Sequence, residues 1–343
     1  MHKGRKGLSR IGMVLLVAII AFVAFGSVSA FAADYPSKPI EILVPWAQGG
    51  TTDNMGRTYQ TLFEKAIGGT TYLKNMGGAS GAVGTEYVNS KPADGYTVMV
   101  TSYQPAGVFQ VMNLSKLGLD DFETIAIISF GVPSIAVHKD ARWQTAQELI
   151  EEAKKNPGTI NAGYSGPATM GQICAFIIEK YTGAKFNMVP FSGGGPVVTA
   201  TLGKHVDVNF QALAENMDQY LGGNFRLLGT FSNEQIKGLD KVPALGQVFP
   251  AMKPYLPWGQ WIGVMVKKGT PKEIVQKLQD VSRVVLAQKE WKDYCASMRN
   301  DPMALIGEEA KAYAKNWSSF TAWVLYEAGA ATKSPELFGI PKP

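Results

Sequence analysis

The chain has 343 residues, of which 46% are hydrophobic and 18% are charged, with 33 Lys and Arg against 28 Asp and Glu. This composition excludes an intrinsically disordered chain, and two Cys residues are too few for a disulfide-stapled fold. At roughly 150 residues per domain, the length is typical of two domains, each able to bury its own core. A pocket between two domains is compatible with this length.

The first 32 residues have the pattern of a secretory signal peptide. Basic residues up to Arg10 precede an apolar run over residues 11–25, and Ala30-Phe31-Ala32 follows as an A-x-A cleavage site. We expect cleavage after Ala32, which gives an exported protein. The alternative is an uncleaved membrane anchor, which is disfavoured because the run is shorter than the roughly 20 residues that a span needs.

The charges nearly balance once the leader is removed. Residues 1–32 hold four of the 33 basic residues and no acidic one, so 29 basic residues face 28 acidic ones in the remainder. The basic character of the whole chain therefore belongs largely to the leader. This argues against nucleic-acid binding.

Short apolar strands alternate with helical segments along most of the chain. The predicted strands cover residues 40–45, 71–75, 96–102, 125–129, 134–138, 161–164, 187–190, 206–210 and 225–231. The predicted helices cover residues 54–66, 145–155, 170–181 and 196–202, and a helical tail follows over residues 271–331. Thr52 or Asp53 is expected to cap the first helix. This alternation is typical of doubly wound, parallel α/β sheets.

Turns rich in Gly, Ser and Thr follow several of the predicted strands. They cover residues 48–53, 77–84, 102–104, 165–169 and 192–195. In open α/β sheets, ligands bind beyond the carboxyl ends of the strands, where the N–H groups of helix N-termini converge. Such turns can hold an anion without a fixed charge, although they are also common as plain connections.

The histidines and cysteines show no metal-binding pattern. His138 and His205 lack a ligand spacing, and Cys174 and Cys295 lie 121 positions apart. In an oxidising compartment the two Cys residues allow either one disulfide or two buried free thiols, and spacing does not decide between these. We expect no metal site.

The glycine motifs and the acidic residues show no catalytic pattern either. The glycines of residues 78–84 lack the G-x-G-x-x-G dinucleotide spacing, and no P-loop or G-x-S-x-G nucleophile elbow occurs. Asp53, Asp207 and Glu215 are scattered acids, which we interpret as caps or solvated residues. We therefore expect neither catalytic residues nor a cofactor.

A series of motifs nevertheless runs through the whole mature chain. These are Y-P-S-K-P-I at 35–40, V-P-W-A-Q-G-G-T-T-D at 44–53, the Gly-rich turn at 75–84, P-A-D-G-Y-T at 92–97, residues 163–172, V-P-F-S-G-G-G-P at 189–196, H-V-D-V at 205–208, W-I-G at 261–263 and G-T-P at 269–271. In this order they resemble the extracytoplasmic receptors of tripartite tricarboxylate transporters, the Bug-type solute-binding proteins.

The resemblance implies a two-lobed α/β fold of the periplasmic-binding-protein type, a type II-like flytrap. Each lobe is expected to be a doubly wound, mostly parallel sheet with flanking helices. Residues 33–132 and 263–343 then form the first lobe, and residues 133–262 form the second. Residues 260–266 offer the strand that returns to the first lobe.

The resemblance also implies a function. Such receptors capture a small organic carboxylate between their lobes and hand it to a membrane permease with a large and a small subunit. We accordingly expect a periplasmic, monomeric, non-enzymatic receptor. A ligand-sensing receptor for a membrane signalling kinase is the alternative within the same family, and a secreted hydrolase is a remote one.

Carried over by position, the resemblance implies a set of ligand-binding residues. They are Trp46, Ala47, Gln48, Thr52, Asp53, Ser102 and Tyr103 in the first lobe, and Ser165, Gly166, Thr169, Ser192, Gly193, Gly194 and Gln211 in the second. Gln48, Gln172 and Gln211 depart from the Pro, His and Asp that are usual in the family. These neutral amides put a citrate-like ligand in doubt and leave room for a less charged or amide-compatible ligand.

Aromatic side chains are expected either to flank the cleft or to pack in the core. They are Trp46, Tyr103, Phe191, Phe210, Trp258 and Trp261. Binding sites use aromatic walls with few polar groups, and Trp46 and Tyr103 are the favoured candidates for such a wall.

Overall fold

The computed structural model describes residues 35–343, so the predicted signal peptide lies outside the described residues. Strands of this part are β1 (Ile40–Val44), β2 (Thr71–Asn75), β3 (Thr97–Ser102), β4 (Phe122–Gly131), β5 (Pro133–His138), β6 (Asn161–Tyr164), β7 (Asn187–Pro190), β8 (Val208–Ala212), β9 (Phe225–Thr230), β10 (Gln260–Lys267) and β11 (Leu305–Ile306). They form one sheet of six strands and one of five.

Helices separate most of these strands. They are α1 (Thr51–Ile67), α2 (Ala82–Ser90), α3 (Val108–Val111), α4 (Ala146–Lys155), α5 (Met170–Thr182), α6 (Gly194–Leu202), α7 (Leu213–Leu221), α8 (Leu245–Val248), α9 (Lys272–Ala287), α10 (Lys289–Ser297) and α11 (Glu308–Glu327). Short 3-10 turns lie at Ala79–Gly81, Leu119–Asp121, Pro250–Tyr255 and Pro335–Phe338.

The first lobe is built on the six-stranded sheet, in the order β11-β4-β10-β3-β1-β2. Strand β1 pairs in parallel with β2 and β3, while β10 runs antiparallel between β3 and β4. Every residue of β1 is buried, as expected for a strand that is covered on both faces. On one face, Tyr59 of α1 donates to or accepts from Ser282 of α9 at 2.8 Å and packs edge-on against Trp291.

The second lobe is built on the five-stranded sheet, in the order β7-β6-β8-β5-β9. Strand β6 pairs in parallel with β7 and β8, and β5 runs antiparallel between β8 and β9. Helices α5, α6 and α7 each follow one of the strands β6, β7 and β8, so all three begin at the same edge of the sheet.

The chain passes from the first sheet to the second between β4 and β5, where Val132 alone separates the strands. It returns ahead of β10. The predicted boundary at residue 262 falls inside β10, all of which pairs in the six-stranded sheet. After β11, helix α11 packs on β4 of the first lobe and on α5 of the second, where Lys180 forms an ion pair with Glu327.

Two details of the first and last helical segments differ from the sequence expectation. Helix α1 begins at Thr51 with Gly50 as its N-cap, so Thr52 and Asp53 lie in the first turn and neither caps the helix. The helical tail is interrupted by β11, which is only two residues long and carries no strand periodicity of its own.

Both cysteines are buried free thiols, Cys174 in α5 and Cys295 in α10, so the disulfide alternative is not realised in the structure. Burial raises the pKa of both thiols. Between residues 35 and 343, no helix combines the length and the apolar character needed to cross a membrane.

Candidate ligand-binding site

A cavity of about 490 Å³ lies between the two lobes, at the ends of strands from both sheets. The first lobe contributes the turns after β1 and β3 and the start of β10, and the second lobe contributes the turns after β6, β7 and β8. The wall consists of residues 46–52, Ser102, Tyr103, Gln104, Ser165, Thr169, Met170, residues 192–196, Gln211, Ala212, Glu215 and Gln260.

Four helices begin at this cavity. The N-cap residues of α1, α5, α6 and α7 all belong to its wall, and none of the four makes a side-chain capping bond; they are Gly50, Thr169, Gly193 and Ala212. Helix α4, which begins elsewhere, is capped by Thr145, whose hydroxyl accepts from the Glu148 N–H at 3.2 Å. The cavity therefore faces the positive ends of four helices.

Asp53 lies behind the turn that follows β1 in the first lobe, and it is not part of the cavity wall. Its Oδ2 accepts from the Gly49 N–H at 2.8 Å and from Arg57 Nε at 3.0 Å, and its Oδ1 accepts from Asn75 Nδ2 at 2.8 Å. Burial alone would raise the pKa of this carboxyl, but the bonds from Gly49, Arg57 and Asn75 outweigh burial and hold the pKa below its ordinary value. Asp53 thus fixes the shape of the turn.

Asp53→Asn should lower the free energy of unfolding at pH 7 by roughly 1–3 kcal/mol, because the Gly49 N–H and the Arg57 guanidinium lose their charged acceptor. Since the folded-state pKa is depressed, the contribution of Asp53 is present above the pKa of the unfolded chain and is lost as the pH falls through the folded-state pKa. Denaturant unfolding at pH 7 and pH 3 measures this. The exposed Asp240→Asn serves as the control, and an equal loss for Asp53→Asn at both pH values would contradict the assignment.

The other first-lobe groups also bond to one another. Ser102 Oγ donates to Gln104 Oε1 at 2.6 Å, and Gln260 Nε2 donates to Thr52 Oγ1 at 2.9 Å. The Tyr103 hydroxyl donates across the cleft to the Ala168 carbonyl at 3.3 Å. Burial raises the pKa of Tyr103, so its phenol stays a neutral donor.

The second-lobe turn after β6 is held in a similar way. Ser165 Oγ donates to Thr169 Oγ1 at 3.2 Å, and Thr169 Oγ1 donates to the Gly166 carbonyl at 2.6 Å. Gln172, on the first turn of α5, accepts from the Ala168 N–H at 2.8 Å, as Asp53 does from Gly49 on α1. Gly166 and Gln172 therefore shape this turn from behind the wall.

A family model described as "Tripartite tricarboxylate transporter family receptor" matches residues 55–318. The chain belongs to this receptor family. BugT of Bordetella pertussis is 26% identical over 313 residues, which cover 90% of this chain and 95% of BugT. The predicted Bug-type resemblance is thereby confirmed, as is a role in solute binding rather than catalysis.

Solved structures show the same fold. A TctC solute-binding protein from Polaromonas, solved without ligand, is 29% identical with a TM-score of 0.67, and the match covers 85% of this chain and 99% of that one. An R. palustris protein solved with adipate is 22% identical with a TM-score of 0.79, covering 87% and 99%. The two-lobed α/β receptor fold is confirmed.

Most residues that were predicted to bind ligand in this receptor lie in the cavity wall; Asp53 and Gly166 do not. Whether the others contact ligand stays a prediction. Of the aromatic candidates, Trp46 and Tyr103 belong to the wall, whereas Phe191, Phe210, Trp258 and Trp261 do not. Trp46 Nε1 and Gln211 Nε2 are buried donors without a hydrogen-bond partner among the described residues.

Glu215 is the wall residue that the sequence interpretation missed most clearly. It lies on the first turn of α7, partly buried, and its Oε1 accepts from Thr51 Oγ1 of the other lobe at 3.0 Å. Burial raises its pKa, and the bonds from Thr51 only partly oppose this. Glu215 follows four residues after Gln211, which had been predicted, so its position just after β8 was a usable signal.

Proposed function

We propose that this receptor captures a small organic carboxylate between its lobes in the periplasm and delivers it to the permease of a tripartite transporter. The observation that carries the proposal is the convergence of four helix N-termini, none capped by its own side chain, on one interlobe cavity. Helix N-termini leave N–H donors unpaired and favour negative charge. A ligand anion in the cavity would accept hydrogen bonds from these unpaired N–H groups.

The rest of the wall is consistent with an anion that is held by neutral donors. The described wall contains no Lys, Arg or His, and its polar side chains are mostly hydroxyls and amides. The buried donors Trp46 Nε1 and Gln211 Nε2 also need acceptors, and buried donors without partners are rare in folded proteins. A carboxylate, with water bridging where direct contact is too long, supplies acceptors to such a site.

The family and the leader support the remaining parts of the proposal. The family description supports a tripartite transporter as the recipient, and the R. palustris protein of the same fold was solved with adipate. The signal-peptide pattern of residues 1–32 supports export to the periplasm.

A thermal-shift screen tests the binding step. The chain from Ala33, unfolded and refolded to remove any co-purified ligand, is heated with mono-, di- and tricarboxylates and with uncharged sugars and amines of similar size. A carboxylate at 100 times its Kd should add about 2.7 kcal/mol to the stability and raise the Tm by several degrees. Stabilisation by sugars or amines alone, with none by any carboxylate, would refute carboxylate capture.

A second experiment tests delivery. Uptake of the carboxylate found in the screen should require both this receptor and a tripartite permease in a cell that expresses them. Uptake that persists without the permease would contradict delivery while leaving capture intact.

A further inference from the structure

The Glu215 carboxylate lies between the N-termini of two helices from opposite lobes. Its Oε1 accepts at 3.0 Å from the hydroxyl of Thr51, the first residue of α1. Its Oε2 lies against Gly194, the first residue of α6, so closely that a Cβ atom there would be 2.1 Å away. The ends of α1 and α6 are thus already next to an anion, and Glu215 itself lies on the first turn of α7.

This carboxylate is the one formal charge of the described cavity wall. The other wall residues are Gly, Ala, Pro, Met, hydroxyl, aromatic and amide residues, so no cationic side chain in the wall balances it. The helix ends of α1 and α6 and the Thr51 hydroxyl are what stabilise it. A negative ligand group placed beside Glu215 would meet a like charge that is partly shielded from water, where repulsion is strong.

The N-terminus of α5 remains for a ligand, because α7 carries Glu215 on its own first turn. Thr169, the N-cap of α5, lies in the wall, the first turn of α5 has no acidic residue, and the unpartnered Gln211 Nε2 lies close to Gly171 on that turn. These groups suit one carboxylate. The cavity thus has one group of free hydrogen-bond donors for a ligand carboxylate, and it has the Glu215 carboxylate elsewhere in its wall.

We propose that Glu215 takes the place of a second ligand carboxylate and restricts this receptor to ligands with a single carboxylate, whose other end carries an ammonium or another hydrogen-bond donor toward Glu215. This rests on the proposed capture of carboxylates and specifies their class. In this arrangement Glu215 accepts from the ligand with Oε2 while Thr51 holds Oε1, so one side chain both closes the lobes and recognises the ligand.

Pairs of ligands with similar length but different end groups test the proposal. Succinate is compared with 4-aminobutyrate, glutarate with 5-aminopentanoate, and adipate with 6-aminohexanoate, by calorimetric titration of the refolded protein. For the pair that fits the cavity, the wild type should bind the amino acid at least about tenfold more tightly than the dicarboxylate. The substitution Glu215→Gln, which keeps the shape and removes the charge, should reduce this preference by about tenfold.

Two further variants distinguish the effect of the Glu215 charge from the effect of the space that its side chain occupies. Glu215→Ala vacates the helix ends of α1 and α6 and should strengthen dicarboxylate binding by about tenfold or more. Asp218→Asn removes one charge from the exposed part of the same helix and should leave every Kd unchanged. If a Glu215 variant fails to fold, the preference of the wild type for the amino acid or the dicarboxylate of each pair still tests the proposal.

The outcomes distinguish this proposal from the function on which it rests. A wild type that binds dicarboxylates more tightly, with a ratio unaffected by Glu215→Gln, overturns the role of Glu215 and leaves carboxylate capture standing. If neither series nor any other carboxylate binds, the proposed function itself fails.

Discussion

Ser165→Trp should abolish ligand binding while leaving the unliganded protein folded. Ser165 follows β6 in the second lobe and belongs to the cavity wall, where its hydroxyl bonds only to Thr169 Oγ1 among the described residues. An indole at this position occupies a large part of a cavity of about 490 Å³ and stands between the two lobes. We expect a loss of affinity of about a hundredfold or more, since the ligand loses most of its buried contact.

The measurement is the thermal shift or calorimetric Kd for the carboxylate that binds the wild type. Ser297→Trp, on the exposed end of α10, adds the same side chain away from the cavity and should leave the Kd unchanged. Ser165 is only partly buried, so the Tm of the unliganded variant should stay close to that of the wild type. Wild-type affinity in Ser165→Trp would place the ligand outside this cavity.

The sequence predicted several strands well because they end at marked turns. Strands β2, β6 and β7 have the predicted bounds, and β1 differs by one residue. Two of the errors occur where tertiary contacts determine the local structure. Strand β11 consists of Leu305 and Ile306, which become a strand only by pairing with β4, and the cap of α1 is Gly50 because Asp53 bonds to Gly49 instead.

The site was predictable at the level of turns and less so at the level of side chains. Turns after parallel strands collect at one edge of a sheet, so the placement of Ser165 beside Ser192 follows from the strand pattern alone. The roles of Asp53 and Glu215 do not. Each is an acid on the first turn of a helix, yet one faces Arg57 and Asn75 behind the wall and the other faces Thr51 across the cleft.

The uncapped helices explain how a near-neutral protein can hold an anion. A Ser, Thr, Asp or Asn side chain at an N-cap typically adds about 1 kcal/mol to helix stability by accepting from an N–H group. Gly50, Gly193 and Ala212 cannot do so, and the Thr169 hydroxyl donates to Gly166 instead. The helix ends at the cavity thus have no side-chain cap of their own: Glu215 lies against those of α1 and α6, and we propose that a ligand accepts from that of α5.

Trp258→Ala should cost about 3–5 kcal/mol of unfolding free energy, the usual loss when a large buried aromatic side chain is truncated. Trp258 is 1% exposed, and its Nε1 donates to Thr321 Oγ1 of α11 at 3.1 Å. Its ring lies 5.6 Å from that of Trp317 and 6.2 Å from that of Tyr103, measured between centroids. It therefore joins the chain segment that leaves the second lobe to α11 and to the cavity wall.

Unfolding in guanidinium chloride, followed by far-UV circular dichroism, measures this loss. Trp258→Phe keeps most of the packing and removes the bond to Thr321, so we expect it to cost only about 1–2 kcal/mol. Because Tyr103 packs against Trp258 and belongs to the cavity wall, the Ala variant should also bind ligand more weakly than the Phe variant. Both variants lose the hydrogen bond to Thr321, but the Ala variant alone also loses the ring. Equal stability of the two variants would therefore mean that the hydrogen bond, rather than ring packing, holds this segment.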